Sequence, residues 1–203
     1  MTDGPGGALH PVPITLYTDA FMVKGVLETR HRRLTDALNE STDGFLVLSD
    51  TRFDAFRSAA NLIHADYAQV NLASVLFVVS EETIDPDPVQ ASPRVAEEAM
   101  ISVPPFAITG HIHLQPERPL REALGQLHGD FIPVTQATYW SDSLGEARTT
   151  AVMVAVNHAR CQILAPHKEV DPWAGVAMAG TNAADEAATT SEPPSTTPET
   201  LGW

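Results

Sequence analysis

The sequence predicts a mainly β protein with short helices, arranged as two tandem, duplicated small bent-sheet domains packed together. Three observations predict it. The run Phe21-Met22-Val23-Lys24-Gly25 is written again as Phe106-Ala107-Ile108-Thr109-Gly110. Leu34-Thr35-Asp36-Ala37-Leu38 has a counterpart in Leu120-Arg121-Glu122-Ala123-Leu124, and Phe45-Leu46-Val47-Leu48 in Phe131-Ile132-Pro133-Val134. From Phe45 to Asn71, and again from Phe131 to Asn157, the spacing is 26 residues. Self-similarity at a fixed offset marks a repeated structural unit. Units of roughly 65–70 residues bury only about 60% of their unfolded surface, so two of them are expected to share a core.

Taken in order, residues 1–13 form a flexible lead-in rich in Gly and Pro. The first β repeat spans 14–80. Ile14, Leu16, Phe21 and Val23 alternate as strand residues around a turn at Thr18-Asp19. Gly25, set among apolar neighbours, fits a bulge where the strand bends. Leu34, Ala37 and Leu38 carry helical spacing over barely two turns. Asp43-Gly44 turns into the apolar strand Phe45–Leu48 and Asn61–Val70 is a further strand, with Asp50 as a strand-end residue. Asn71 and Asn157 are expected to form turns in the left-handed conformation. The run Val75-Leu76-Phe77-Val78-Val79 is strongly β-forming. Residues 81–98, with Asp85-Pro86-Asp87-Pro88, read as an acidic linker. The second β repeat spans 99–168, and residues 169–203 are too poor in apolar side chains to offset ordering, so a disordered acidic tail is expected.

Formal net charge is −14, from 26 acidic and 12 basic residues. That balance argues against a phosphate-backbone partner, which requires clustered Lys and Arg. With one cysteine, Cys161, an internal disulfide is excluded; a buried structural thiol is expected there. No apolar run has the roughly 18 residues of a membrane helix, and the opening residues lack basic and apolar leader segments. A cytoplasmic address without membrane insertion is the expectation.

The strings Gly25-Val26-Leu27, Leu34-x-Asp36-x-Leu38-Asn39, Phe45-Leu46-x-Leu48-x-Asp50 and Val70-Asn71-x-x-x-Val75 resemble an uncharacterised bacterial small-β-domain family of Sm-like character. The second copy is similar through Gly110-His111-Ile112, Leu120, Leu124, Phe131-Ile132 and Val156-Asn157. The resemblance implies a small, strongly bent β-sheet. RNA binding or ring formation, common in the wider class, is not carried over: no Arg-Gly pair stands beside Asn71 or Asn157, and the chain is acidic.

Candidate chemistry is sparse. His111 and His113 alternate on a strand and could place two imidazoles on one metal, with Glu117 or His128 as a third ligand. His64, Asp66 and Asp50 could supply acid–base groups, yet no nucleophile elbow, phosphate loop or Cys-x-x-Cys accompanies them, and no cofactor is expected. Phe53, Phe56, Tyr139 and Trp140, just beyond the central strands, are either packing residues or an aromatic patch for a partner. Arg30, Arg32 and Arg33 form the one basic run, a solvated loop or an RNA contact. The sequence therefore points to a non-enzymatic protein-interaction module: an adaptor, scaffold or assembly component with a protein partner or a second copy. A nucleic-acid-binding module or a metal-binding protein is the alternative.

Overall fold

A computed structural model describes residues 8–56, 62–80, 94–116, 120–125, 127 and 129–167. It is mainly antiparallel β. The N-terminal half contains β1 (His10–Thr18), β2 (Phe21–Thr29), α1 (Leu34–Asn39), β3 (Phe45–Ala55), β4 (Ile63–Asn71) and β5 (Val75–Ser80). The C-terminal half contains β6 (Val95–Val103), β7 (Phe106–Leu114), α2 (Leu120–Leu124), β8 (Phe131–Ser141), β9 (Glu146–Asn157) and β10 (Ile163–Pro166). All ten strands join one sheet in the order β10-β6-β7-β8-β9-β5-β1-β2-β3-β4. The first half thus runs β5-β1-β2-β3-β4 and the second β10-β6-β7-β8-β9. The two meet where β5 pairs with β9, with Phe77 opposite Val156 and Ser80 opposite Met153.

Each half carries the same bend. Opposite Gly25, β3 places two residues, Asp50 and Thr51, because Lys24 pairs with Arg52 but Val26 with Ser49. Opposite Gly110, β8 places Gln136 and Ala137. Asp50 and Gln136 both take positive φ, 46° and 50°. Such bulges sharpen strand twist and curvature. Glycine is required by crowding: a Cβ on Gly25 would lie 2.9 Å from Thr51 Cγ2, and one on Gly110 2.8 Å from Val134 Cγ1.

The short helix α1 has no side-chain N-cap. Leu34 and Leu38 are buried beneath it, so packing, not propensity, holds this brief helix. Asn71 and Asn157 each accept from the backbone N–H two residues on, from Ala73 and Ala159, and so cap short 3-10 turns. Their φ values are −73° and −69°. The left-handed conformation expected from the sequence is therefore absent; the carboxamide makes the turn without it.

Two cores form, and each borrows from the other half. Val12, Ile14, Leu16, Leu34, Leu38, Leu46 and Leu48 build the first, completed by Phe131 and Ala155. Ile101, Ile108, Ile112, Val134 and Val154 build the second, completed by Tyr17, Phe77 and Val79. This exchange is why β5 is buried at every position and reads as an unbroken apolar run.

The boundaries differ from the sequence reading at two places. β1 starts at His10, within the expected lead-in, with Pro11 opposite Glu28 and Pro13 opposite Val26 of β2. β6 starts at Val95, so the last residues of the expected linker are strand. The rest of that linker, from 81 to 93, lies outside the described residues, as does the expected tail from 169 on. Among the described residues no helix is long and apolar enough to cross a membrane.

Candidate interaction surface

The chemistry-bearing residues named from the sequence fall into separate places. His111 and His113 share the face of β7 that points away from the core, since Gly110, Ile112 and Leu114 are buried between and beside them. His113 Nε2 lies 2.8 Å from Thr135 Oγ1. His111 Nδ1 is buried with no hydrogen-bond partner among the described residues. Glu117 and His128 lie outside the described residues, and among those described no group of three His, Cys, Asp or Glu is placed to hold a metal.

Burial, then the nearby Arg94 and His111, holds the His113 imidazole below its ordinary value of 6.5. Its neutral form therefore contributes stability that is complete above pH 6.5 and is lost as pH falls through the lower folded-state value. Urea unfolding should show stability dropping from pH 7 toward pH 5, and dropping less in His113→Gln, which keeps a side-chain partner for Thr135. Equal pH slopes in the two proteins would contradict this.

His64 and Asp50 meet across β3 and β4 at 2.8 Å, both exposed. The His64 hydrogen bond, ahead of the Arg52 charge, holds the Asp50 carboxyl below its ordinary range. Asp50 sits at the mid-strand bulge, not at a strand end as the sequence suggested. An exposed pair of this kind is weak, and Asp66 makes no hydrogen bond with either.

The four aromatic candidates divide. Phe56 and Tyr139 join Tyr17, Phe77 and Phe106 in a ring cluster at the junction of the halves: Tyr17 stacks on Phe77 at 4.4 Å and lies edge-on to Tyr139 at 5.4 Å. The Tyr17 and Tyr139 hydroxyls are 3.1 Å apart. Burial, with that hydrogen bond, pushes the Tyr17 phenol far above its ordinary range. Tyr139 is therefore interior and presents no patch. Phe53 is half-buried against the first core. Trp140 is covered by the Arg148 guanidinium, 4.2 Å from the ring centre. Arg30, Arg32 and Arg33 are exposed in the turn before α1, where the Arg33 carbonyl receives the first helical N–H groups.

Cys161 donates its thiol to the Asn157 carbonyl at 3.3 Å, and burial pushes its pKa up to about 11. Only thiolate reacts. Iodoacetamide at pH 8 should modify the native protein roughly a hundredfold more slowly than the urea-unfolded chain; equal rates would contradict the burial.

What the structure does present is an apolar strip at the open β4 end of the sheet. Phe45, Val47 and Tyr67 are all exposed. They alternate with buried Leu46, Leu48 and Val70 and therefore project from the opposite face. Beside them, among the described residues, β4 has no neighbour on its outer side. No protein-family model, curated protein or solved structure matches this chain. The sequence reading did not single out this strip, because Phe45 and Val47 follow the same strand pattern as the buried Phe131 region. Exposed apolar residues contiguous with an unpaired strand edge are a ready surface for another chain.

Proposed function

We propose that this protein is a non-enzymatic interaction module, an adaptor, scaffold or assembly component built from two tandem copies of a small bent Sm-like sheet. The bare strip of Phe45, Val47 and Tyr67 beside the open β4 edge carries the reading. Support for the tandem origin lies in the shared strand order, the paired bulges at Gly25 and Gly110, and the Asn-capped turns at Asn71 and Asn157. Backbone groups along the edge would supply hydrogen bonds, and the strip would supply apolar area, as in strand addition. The test is affinity capture from native lysate with the full chain and with Phe45→Asp, together with the solution mass of each. Capture or self-association that Phe45→Asp abolishes supports the reading. A chain that stays single and captures nothing sinks it. RNA binding that falls steeply with salt and vanishes on neutralising Arg30, Arg32 and Arg33 would replace it with the nucleic-acid alternative.

A further inference from the structure

The two ends of the sheet are the two sides of a junction the chain already makes with itself. At that junction the C-terminal half offers β9 and the N-terminal half offers β5. By the correspondence of the copies, the outer strand β4 stands where β9 stands, and the outer strand β10 stands where β5 stands.

Exposure at matched positions shows what is missing. Phe131 is 2% exposed and its counterpart Phe45 43%. Phe106 is 2% exposed and its counterpart Phe21 42%. On the other side of the junction Phe77 is fully buried, whereas its counterpart Ile163 is 60% exposed. Apolar chemistry is kept at these three pairs of positions, and burial is lost at the member that faces an outer end of the sheet. The same holds for the capping amides. Asn157 donates from Nδ2 to the Leu72 and Val75 carbonyls of the other half, at 3.2 and 2.9 Å. Asn71, with the same turn, is exposed.

From this contrast we infer that the β4 end of one chain binds the β10 end of a second copy, head to tail, repeating the internal β5·β9 junction. The inference rests on the interaction-module reading above and names its partner. In the repeated contact Ile163 of one copy lies opposite Val70 of the next, and Leu164 opposite Gln69. The incoming strand is covered by Phe21 on one side of the sheet and Phe45 on the other. The Asn71 amide gains the carbonyls of His158 and Cys161. Three differences make this contact weaker than the internal one. Gln69 stands where the junction buries Ala155. Asn39, whose side chain bonds both the N–H and the C=O of Phe131, is replaced in α2 by Gly125. Ser80 is replaced by Pro166, which has no N–H to give. The association is therefore reversible and concentration-dependent.

A heterologous contact has two unlike sides, each of which can be removed separately. Light scattering of the full chain over a concentration series should show mass rising above the single-chain 21.8 kDa. Phe45→Asp blocks the β4 side and Ile163→Asp the β10 side, each placing a charge in an apolar contact. Each variant alone should weaken association at least about tenfold, whereas Leu9→Asp, elsewhere on the surface, should leave it unchanged. Mixed in equal amounts, the two blocked variants should form a complex of two chains and stop there, because one intact contact remains. That rescue also shows that both variants are folded. Single-chain mass at every concentration, or a mixture that stays single, overturns the inference. If the chain stays single yet captures a different protein through the Phe45 strip, the inference fails while the interaction-module reading stands. If it captures nothing either, both fail.

Discussion

Replacing Phe77 by Ala is expected to cost about 3–5 kcal/mol of folding stability. Phe77 is fully buried. It lies on β5, where the halves join, with ring centres 4.4 Å from Tyr17, 5.1 Å from Phe106 and 5.2 Å from Tyr139. Its truncation removes area from the second core and the ring contacts that orient both tyrosines. The surrounding strands are tied by ladders on both sides, β1 on one and β9 on the other, so the cavity has little room to collapse. Ile163→Ala is the matched control. That position is the counterpart of Phe77 but exposed, and its truncation should change stability by no more than about 0.5 kcal/mol in dilute protein. Urea unfolding followed by fluorescence and by far-ultraviolet circular dichroism would measure both. A loss below about 1 kcal/mol for Phe77→Ala would show that the halves do not depend on a shared core.

Much of this architecture was legible because its causes are local. Gly25 and Gly110 stand out as glycines in apolar strands, and the structure supplies the reason: no Cβ fits where a bulge brings β3 or β8 against them. The Asn turns were legible through spacing, since a carboxamide can satisfy a backbone N–H two residues on whichever half it lies in. The Val75–Val79 run read as strongly β-forming, and β5 is that strand; its burial on both faces comes from the two halves that flank it.

What stayed hidden depends on partners distant in sequence. Phe56 and Tyr139 read first as packing residues, with a partner patch as the alternative; the juxtaposition of Tyr17, Phe77 and Phe106 is what decides for packing. Val95–Glu98 carries two acids and one apolar end, so its strand character comes from pairing with His111–Leu114 and not from its own pattern. The bare strip was hidden for a similar reason. Phe45 and Phe131 head matching sequence strings, and Phe131 is buried because it packs into the core of the N-terminal half.

Asn157→Ala tests that last point within one chain. The amide of Asn157 is 4% exposed. It donates to the Leu72 and Val75 carbonyls of the N-terminal half and accepts from Ala159 within its own turn. Truncation leaves a buried carbonyl pair short of a donor and the 3-10 turn without its cap, an expected loss of about 2–3 kcal/mol. Asn71→Ala removes only a cap, because in dilute protein its amide faces solvent; the expected loss is about 1 kcal/mol. The same substitution in the two Asn-capped turns should thus differ by more than about 1 kcal/mol between the two halves. Equal losses would mean that the inter-half hydrogen bonds contribute nothing. Raising the protein concentration sharpens the comparison: if a second copy seats its β10 end against β4, Asn71→Ala should become more costly as chains associate, while Asn157→Ala, already satisfied within the chain, should not change.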